Sequence, residues 1–295
     1  MQIRNGAMRP VSVPPGRRAI IHPMTERRAL LLAGLTGLWP WADARAQQRR
    51  SLTDPLRVGV DWALAQSGLA SALQQTFGRD TGIAAKLVSG AAVPLLDALE
   101  RGELDVAVSN APEAELKLDK QGLVHDRQAV AISQFVIVGP APKGKVRDPA
   151  GVAGGHDVAQ ALVQIRDFAA ASPGALGFLS AGDGSGTHLA EQALWRAAKI
   201  APAAPWYAAA KADNTSPLAQ ARAGGAYAVV DRGVWGAQGG APLAVLVEGD
   251  PLMAVQVHAM RSFRVSHPAA KIFIAWIAGP KGRRVVAGHR GYRAP

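Results

Sequence analysis

The chain contains no cysteine among its 295 residues. This excludes disulfide bonds, thiolate metal sites, cysteine nucleophiles and a lipid-modified N-terminal cysteine. A protein without cysteine is compatible with any compartment, so this absence does not locate it. Aromatic residues are also few, at 5 %, against 32 glycines and 20 prolines. Together with an apolar content of 48 %, this composition predicts an α/β protein with many turns and an ample core.

Long hydrophobic runs are absent as well. The apolar run at residues 29–41 follows two arginines and precedes an A-x-A cleavage pattern at residues 44–46. It is shorter than the roughly 20 residues that a membrane span needs, so it predicts a secretory signal peptide over residues 1–46. Met24 is a candidate for the true start. We expect a mature, periplasmic protein that begins near Gln47, with both the Sec and the twin-arginine route open.

Negative charge is scarce, since 22 acidic residues face 33 Lys and Arg, for a net charge of +11. Seven arginines and two acids in residues 1–46 account for +5, which leaves +6 on the mature chain. Aromatic residues are not interleaved with the basic residues near the C-terminus. We therefore interpret that basic stretch as a solvated helix face and expect no nucleic-acid partner. The residues concerned are Arg283, Arg284, Arg290 and Arg293.

From residue 56 onward, short apolar runs alternate with helical periodicity, which is typical of βαβ units. The predicted strands are residues 56–60, 83–88, 104–108, 135–138, 175–179, 227–230, 244–247 and 254–259. The predicted helices include residues 69–77, 93–99, 158–170, 187–199, 217–223 and 268–278, with a polar helix from residue 112. Proline, glycine and lysine at residues 141–155 suggest a crossing between two α/β halves. We predict a first lobe over residues 54–137, a second over 138–253, and a return to the first over 254–295.

The most informative segment is SAGDGSGTH, at residues 180–188. It follows an apolar run, carries three glycines, and precedes a helical pattern, so it predicts a strand, a turn and a helix N-terminus. Unpaired N–H groups and the positive end of the helix dipole make such a turn suited to an anion. However, residues 168–195 contain no Lys or Arg to neutralise a bound charge.

Several segments occur in the order found in a known family. They are DVAVSNAPEAE from residue 105, QFVIVGP from residue 134, SAGDGSGTH from residue 180, Ala193-Leu194-Trp195, Pro205-Trp206-Tyr207, GAYAVVDRG from residue 225, and LVEGDP from residue 246. The chain thereby resembles the periplasmic tungstate-binding components of ABC transporters, from about residue 56 to the C-terminal helix. This resemblance implies an α/β, two-lobe type II periplasmic-binding-protein fold, with each lobe a mixed sheet flanked by helices.

The resemblance also implies a solute receptor that binds an oxyanion through hydroxyls and amides, with a membrane ABC permease as partner. We expect no enzyme activity, no cofactor, no bound metal and a monomer. The candidate ligand-binding residues are Asp61, Trp62, Ala63, Ser89, Gly90, Asn110, Ser185, Gly186, Thr187, Thr215 and Arg232.

The candidate site departs from the family pattern at several positions. The Thr/Ser run that precedes Ser-Gly-Leu in the family is replaced by DWAL at residues 61–64, although Ser67-Gly68-Leu69 is kept. In the glycine-rich loop, the family has an arginine where this chain has Ala181. In the third loop, the family typically has a histidine where this chain has Asn110. Family Asn and Tyr positions on the return crossing are occupied by apolar or glutamine residues near residues 255 and 256.

These departures bear on the ligand, because a buried dianion needs donors and compensating charge. If Asp61 faces the cleft, it repels an anion about 4 Å away by roughly 4 kcal/mol. If it is exposed, it is an ordinary turn residue. Trp62 offers an apolar face and one donor. We therefore keep two ligand classes open: a small oxyanion held by loop amides and Arg232, and an organic acid or amine-bearing solute.

Other interpretations of the same residues stay open. Ser185, Gly186 and Thr187 also fit a simple helix cap with turn glycines. Asp183 and His188 are expected to be hydrogen-bonded structural groups rather than catalytic ones, because a nucleophile, base and orienting acid normally converge from separate segments. A sensor or partner-binding module that is not coupled to transport is the alternative to a receptor, and a hydrolase would need a nucleophile–base pair that is not evident.

Overall fold

The computed structural model describes residues 48–144, 148–172, 177–211 and 216–295. The predicted signal peptide over residues 1–46 and the candidate ligand-binding residue Thr215 lie outside these ranges. So does part of the strand predicted at residues 175–179.

The described residues form twelve strands and ten α-helices interspersed along the chain, so the predicted α/β class is confirmed. The strands are β1 Gln48–Arg49, β2 Leu56–Asp61, β3 Ala85–Gly90, β4 Val106–Ser109, β5 Val124–Pro140, β6 Phe178–Ser180, β7 Tyr207–Ala209, β8 Ala228–Asp231, β9 Leu243–Val247, β10 Ala254–Ser262, β11 Val265–Ser266 and β12 Tyr292–Arg293. The helices are α1 Trp62–Gln66, α2 Leu69–Thr81, α3 Ala92–Arg101, α4 Pro112–Lys120, α5 Val158–Ala171, α6 Gly186–Ala197, α7 Pro217–Gly224, α8 Arg232–Gln238, α9 Pro268–Ala278 and α10 Pro280–Ala287, with a 3₁₀ turn at Pro251–Met253.

The 17-residue strand β5 organises the main sheet. Its N-terminal part pairs with β10 and β12, and β10 continues through β4 and β2 to β3; we call β2, β3, β4, β10 and β12 the first strand group. From Phe135 onward, β5 pairs antiparallel with β8, and then with β9. A parallel pair, β6–β7, reaches the start of β8 through a bridge between Phe178 and Tyr227, the residue before β8. We call β6, β7, β8 and β9 the second strand group.

Each strand group has its own hydrophobic core. In the first, α2, α9 and α10 pack on the sheet, and Phe77 makes an edge-on contact with Phe273 at 5.0 Å between ring centroids. In the second, α5 and α6 cover β6 and β8, and Phe178 meets Trp195 edge-on at the same distance. Burial of these large side chains supplies the main driving force for each half.

The sequence pattern missed several elements. Only residues 135–138 of β5 were predicted, because polar side chains interrupt residues 124–134 and hide the strand. The helices α1 and α8 were also missed, since five and seven residues are too few to show helical periodicity. The predicted boundary between residues 137 and 138 falls within β5, which serves both strand groups, and this division stays a prediction.

Two of the four C-terminal arginines lie on a helix face, as predicted. Arg283 and Arg284 lie on α10 with exposed side chains, as a solvated helix face requires. Across the described ranges, we find no helix with the length and apolar character needed to cross a bilayer.

Candidate functional site

The glycine-rich segment forms the strand, turn and helix that its sequence predicted. β6 ends at Ser180, and α6 begins at Gly186 with Ser185 as its N-cap. The Ser185 Oγ accepts a hydrogen bond from the His188 N–H at 3.3 Å. Gly182 and Gly184 adopt φ values of 65° and 73°, the left-handed region in which a side chain is unfavourable. The turn therefore depends on its glycines.

Asp183 and His188 stabilise this turn from within. The Asp183 Oδ1 accepts the Ser185 N–H at 2.9 Å, and the His188 Nδ1 accepts the Gly184 N–H at 3.0 Å. Both side chains thus have structural hydrogen bonds, as expected from the sequence.

Asp61 occupies a position that neither interpretation of the sequence foresaw. It ends β2, caps α1, and is completely buried rather than exposed or free in a cleft. One carboxylate oxygen, Oδ1, accepts the Ala63 N–H at 3.0 Å, and Oδ2 accepts the Gly186 N–H at 2.9 Å. The side chain therefore joins the N-termini of two helices, α1 and α6.

The surroundings of Asp61 act on its charge in opposite directions. Burial raises the pKa of Asp61 to about 6, and the nearby Asp183 and Asp231 carboxylates add to that rise. The N–H groups of Gly186 and Ala63 act the other way, because they stabilise the ionised form. Asp61 therefore takes up a proton more readily than an ordinary carboxyl as the pH falls.

Asn110 lies against the same helix N-terminus. It follows β4 and is 1 % exposed, yet neither its Nδ2 nor its Oδ1 has a hydrogen-bond partner in the described part of the chain. A Cβ atom placed on Gly186 would lie 1.7 Å from the Asn110 Oδ1. A glycine is therefore required at residue 186, and the buried amide of Asn110 remains unsatisfied beside it.

A cavity of about 550 Å³ lies next to this junction. The side of α1 contributes Trp62, Ala63 and Gln66, and the rest of the lining comes from the second strand group and its loops. Those residues are Leu179, Ala181, Gly182, Asp183, Ser185, Thr187, Ala210, Lys211, Ser216, Pro217, Leu218, Ala228, Val229, Val230, Asp231 and Val234. Trp62 is 39 % exposed, so its ring is available to a bound molecule.

Two carboxylates and one amine are the charged groups among the described lining residues. Asp231 is buried, and it accepts hydrogen bonds from the Ser133 hydroxyl, the Tyr292 hydroxyl at 2.9 Å, and the N–H groups of Gly233 and Val234. Burial raises the pKa of Asp231 above its usual range, against the effect of these donors. Asp183 and Lys211 carry the remaining charges.

The other predicted site residues lie outside this lining. Arg232 begins α8 and forms an ion pair with Glu248, so its guanidinium is engaged at the surface rather than in the cavity. Ser89 is exposed at the end of β3, and Gly90 lies beside Asp61 in the parallel register of β2 and β3. The structure therefore brings Trp62, Ala63, Ser185 and Thr187 together around the cavity, with Asp61, Gly186 and Asn110 beside it.

Sequence reasoning missed several lining residues. Asp231 had a usable signal, because it directly follows an apolar strand, at the position where ligand loops begin in open α/β sheets. Leu179, Lys211 and Leu218 had none, since an apolar or lysine residue near a turn is common everywhere. Only the fold brings them to the cavity.

Comparison with known proteins agrees with this architecture. Residues 53–281 match the PBP superfamily domain. The tungstate-binding protein TupA of Peptoclostridium acidaminophilum is 30 % identical over 242 residues, which cover 78 % of this chain and 80 % of the relative.

Two solved structures are also similar. The tungstate ABC transporter structure from Geobacter sulfurreducens is 29 % identical, with a TM-score of 0.67, and the match covers 83 % of this chain and 100 % of that one. The tungstate-binding protein TupA from Desulfovibrio alaskensis is 29 % identical, with a TM-score of 0.65, and the match covers 82 % and 99 %. These relatives are named as binding or transport proteins rather than as enzymes. The chain belongs to the PBP superfamily, with the two-lobe type II fold, and within it to the family of the tungstate-binding proteins of ABC transporters.

Proposed function

We propose that this protein is the solute-binding receptor of an ABC importer, exported to the periplasm, and that it captures a small organic solute in the cavity beside Trp62. The observation that carries the proposal is the cavity itself, about 550 Å³ in volume, which is lined by side chains of α1 and by residues of the glycine-rich loop. A pocket of this size and mixed lining suits a small molecule.

The lining favours a solute that is uncharged or carries an amine. Trp62 presents an aromatic face, which attracts cations as well as apolar groups. Asp183 and Asp231 place negative charge at the cavity, and Lys211 supplies the one positive side chain among the described lining residues. A dianion such as tungstate would meet two carboxylates there without a guanidinium to balance them.

Capture would involve both strand groups. Trp62 and Gln66 belong to a helix that follows β2, whereas Thr187 and Leu218 belong to helices of the second strand group. A solute that contacts both sets of residues stabilises the conformation in which α1 and the helices of the second strand group lie closer together. Binding energy is thereby converted into a closed receptor, which a permease can distinguish from the empty one.

The proposal is tested by a thermal-shift screen of organic amines, amino acids, neutral polyols, carboxylates, tungstate and molybdate. A ligand at about 100 times its Kd stabilises the folded state by about 2.7 kcal/mol, which raises the Tm of a chain of this size by roughly 5 °C. We expect the largest shift from an amine-bearing or neutral compound. Sodium chloride at equal ionic strength is the control.

The possible results distinguish an error in the proposed ligand from an error in the proposed transport function. If tungstate or molybdate gives the largest shift, the organic ligand is wrong and the receptor function stands. If a ligand binds but deletion of the gene leaves uptake of that solute unchanged, transport is wrong, and a sensor takes its place.

A further inference from the structure

We infer that the Asp61 carboxylate is a built-in anion: it occupies the N-terminus of α6 in place of a bound oxyanion, and so makes Asp61 the residue that sets ligand specificity. This inference deepens the proposed function, because it concerns which ligands the same site accepts. It is independent of the identity of the organic solute.

The contacts of Asp61 are those of a bound anion. Its two oxygens each accept one backbone N–H, from Ala63 at 3.0 Å and from Gly186 at 2.9 Å. Ala63 lies in the first turn of α1, and Gly186 is the first residue of the 12-residue helix α6. Helix N-termini carry unpaired N–H groups and partial positive charge, so they bind carboxylates and oxyanions alike.

The contact with Gly186 is tertiary rather than local. Asp61 and Gly186 are 125 residues apart in the chain, and they belong to elements on different strand groups. The local cap of α1 needs only one carboxylate oxygen. The second oxygen is therefore committed to α6, whose own N-cap, Ser185, already bonds the His188 N–H and leaves the Gly186 N–H to another acceptor.

Asn110 is an independent sign that this position is built to hold a polar group. Its amide is 1 % exposed, it has no hydrogen-bond partner among the described residues, and it lies against Gly186. A buried amide without partners is unfavourable, and such groups are rare in native proteins. An oxyanion at the α6 N-terminus would offer an acceptor to the Asn110 Nδ2, whereas the Asp61 carboxylate makes no hydrogen bond to it.

The charges around Asp61 oppose a second anion. The nearby Asp183 and Asp231 carboxylates both raise the pKa of Asp61, as further negative charge does. With Asp61 in place, an incoming oxyanion finds the Gly186 N–H occupied and the carboxylates of Asp61, Asp183 and Asp231 nearby, against the single amine of Lys211 among the described lining residues. Removal of the Asp61 carboxylate frees the Gly186 N–H and lowers the negative charge that an oxyanion meets.

The test is tungstate and molybdate binding, measured by calorimetry at pH 7.5 on the full chain and on Asp61→Ser. We expect no heat of binding to the native protein at up to about 1 mM of either anion, and affinity at least about tenfold tighter in the variant. Asp61→Asn keeps the side-chain volume but removes the charge, and we expect a smaller gain, because its NH₂ faces one of the two backbone donors.

Asp183→Asn is the matched control. It removes the same single charge next to the cavity but leaves the Gly186 N–H bonded to Asp61. If its affinity for tungstate rises as much as that of Asp61→Ser, general charge rather than occupancy sets specificity, and the inference is wrong. It is equally wrong if native protein binds tungstate at micromolar concentration, or if folded Asp61→Ser shows no gain.

A second measurement covers the case in which Asp61→Ser is poorly folded. Sodium formate supplies a free carboxylate, so it should raise the Tm of Asp61→Ala more than that of the native protein, relative to sodium chloride at equal ionic strength. Equal shifts in the two proteins would overturn the inference. Failure of the organic solute screen would contradict the proposed function and leave the gain of tungstate binding in Asp61→Ser unaffected.

Discussion

Asp61 and Trp62 are neighbours in the sequence with opposite surroundings. Asp61 is completely buried with both carboxylate oxygens bonded, whereas Trp62 is 39 % exposed at the edge of the cavity. Asp61 is the N-cap of α1, whereas Trp62 is the first residue of the helix itself. Asp61 therefore holds α1 and α6 together beside the cavity, whereas the Trp62 ring is available to a ligand.

Replacement of Trp62 by alanine should weaken binding of whichever solute the thermal-shift screen identifies. Loss of an aromatic contact at a half-exposed site costs about 1 kcal/mol, which corresponds to a roughly fivefold higher Kd by calorimetry. Leu252→Ala is the control, because Leu252 is 54 % exposed and lies outside the cavity lining. An unchanged Kd in Trp62→Ala would remove this side chain from the site.

At the scale of elements, the start of α6 is held both by a hydrogen bond and by close packing. Gly186 donates to Asp61 and also leaves no room for a side chain, because Asn110 lies directly against it. Gly186 thus takes part both in the hydrogen bond to Asp61 and in the close packing against Asn110. A change there affects the junction between α1, β4 and α6 together.

Gly186→Ala should destabilise the protein, because its Cβ would lie 1.7 Å from the Asn110 Oδ1. We expect a loss of about 2 kcal/mol in the free energy of unfolding, measured with urea. Gly78→Ala is the matched control: this glycine is within α2, its nearest new contact is 3.8 Å away, and alanine there should stabilise by about 0.5–1 kcal/mol. Asn110→Ser in the Gly186→Ala background should recover stability; if it does not, the clash is not the cause.

A second tie between elements involves Tyr292 on β12. Its hydroxyl donates to the Asp231 Oδ1 at 2.9 Å and lies 3.0 Å from the Ser67 Oγ, so it links α1, β8 and β12. Tyr292→Phe keeps the ring packing and removes the hydroxyl. We expect a loss of roughly 1.5 kcal/mol in the free energy of unfolding, since the lost bond is to a buried carboxylate. A loss under about 0.5 kcal/mol would show that the other donors to Asp231 suffice.

Across the whole molecule, burial of carboxyl groups shapes the response to pH. Burial raises the pKa of Asp61, of Asp231 and of Glu191. A carboxyl whose pKa is higher in the folded than in the unfolded chain stabilises the fold most when protonated. That stability is complete below the unfolded pKa, and it is lost as the pH rises through the folded pKa.

For Asp61 the pKa rises from 3.8 to about 6. The free energy of unfolding should therefore fall by roughly 1.5 kcal/mol from this residue alone as the pH is raised from 5 to 7.5. Urea titrations of the native protein and Asp61→Asn over this range provide the check. The variant should show a shallower pH dependence, and equal slopes in the two proteins would contradict the shift.

The sequence identified much of the fold and part of the candidate site. Regular alternation of apolar runs with helical periodicity predicted most strands and helices, and the glycine-rich segment predicted its own turn and helix start. The 17-residue strand β5 was mostly missed, because polar side chains interrupt residues 124–134 and hide the strand pattern there. Three of the candidate residues, Trp62, Ser185 and Thr187, line one cavity, whereas the place of Arg232 depended on Glu248, sixteen residues away.

What the sequence determined by itself is local: glycines that permit a left-handed turn, a serine that caps α6, and the absence of an arginine at residue 181. Local features follow from the backbone conformations and hydrogen bonds of adjacent residues. The role of Asp61 was decided only by the tertiary structure. Its second carboxylate oxygen meets the Gly186 N–H across 125 residues, and no pattern within either segment specifies that the two segments lie together. Packing of the two strand groups on the shared strand β5 produces that contact.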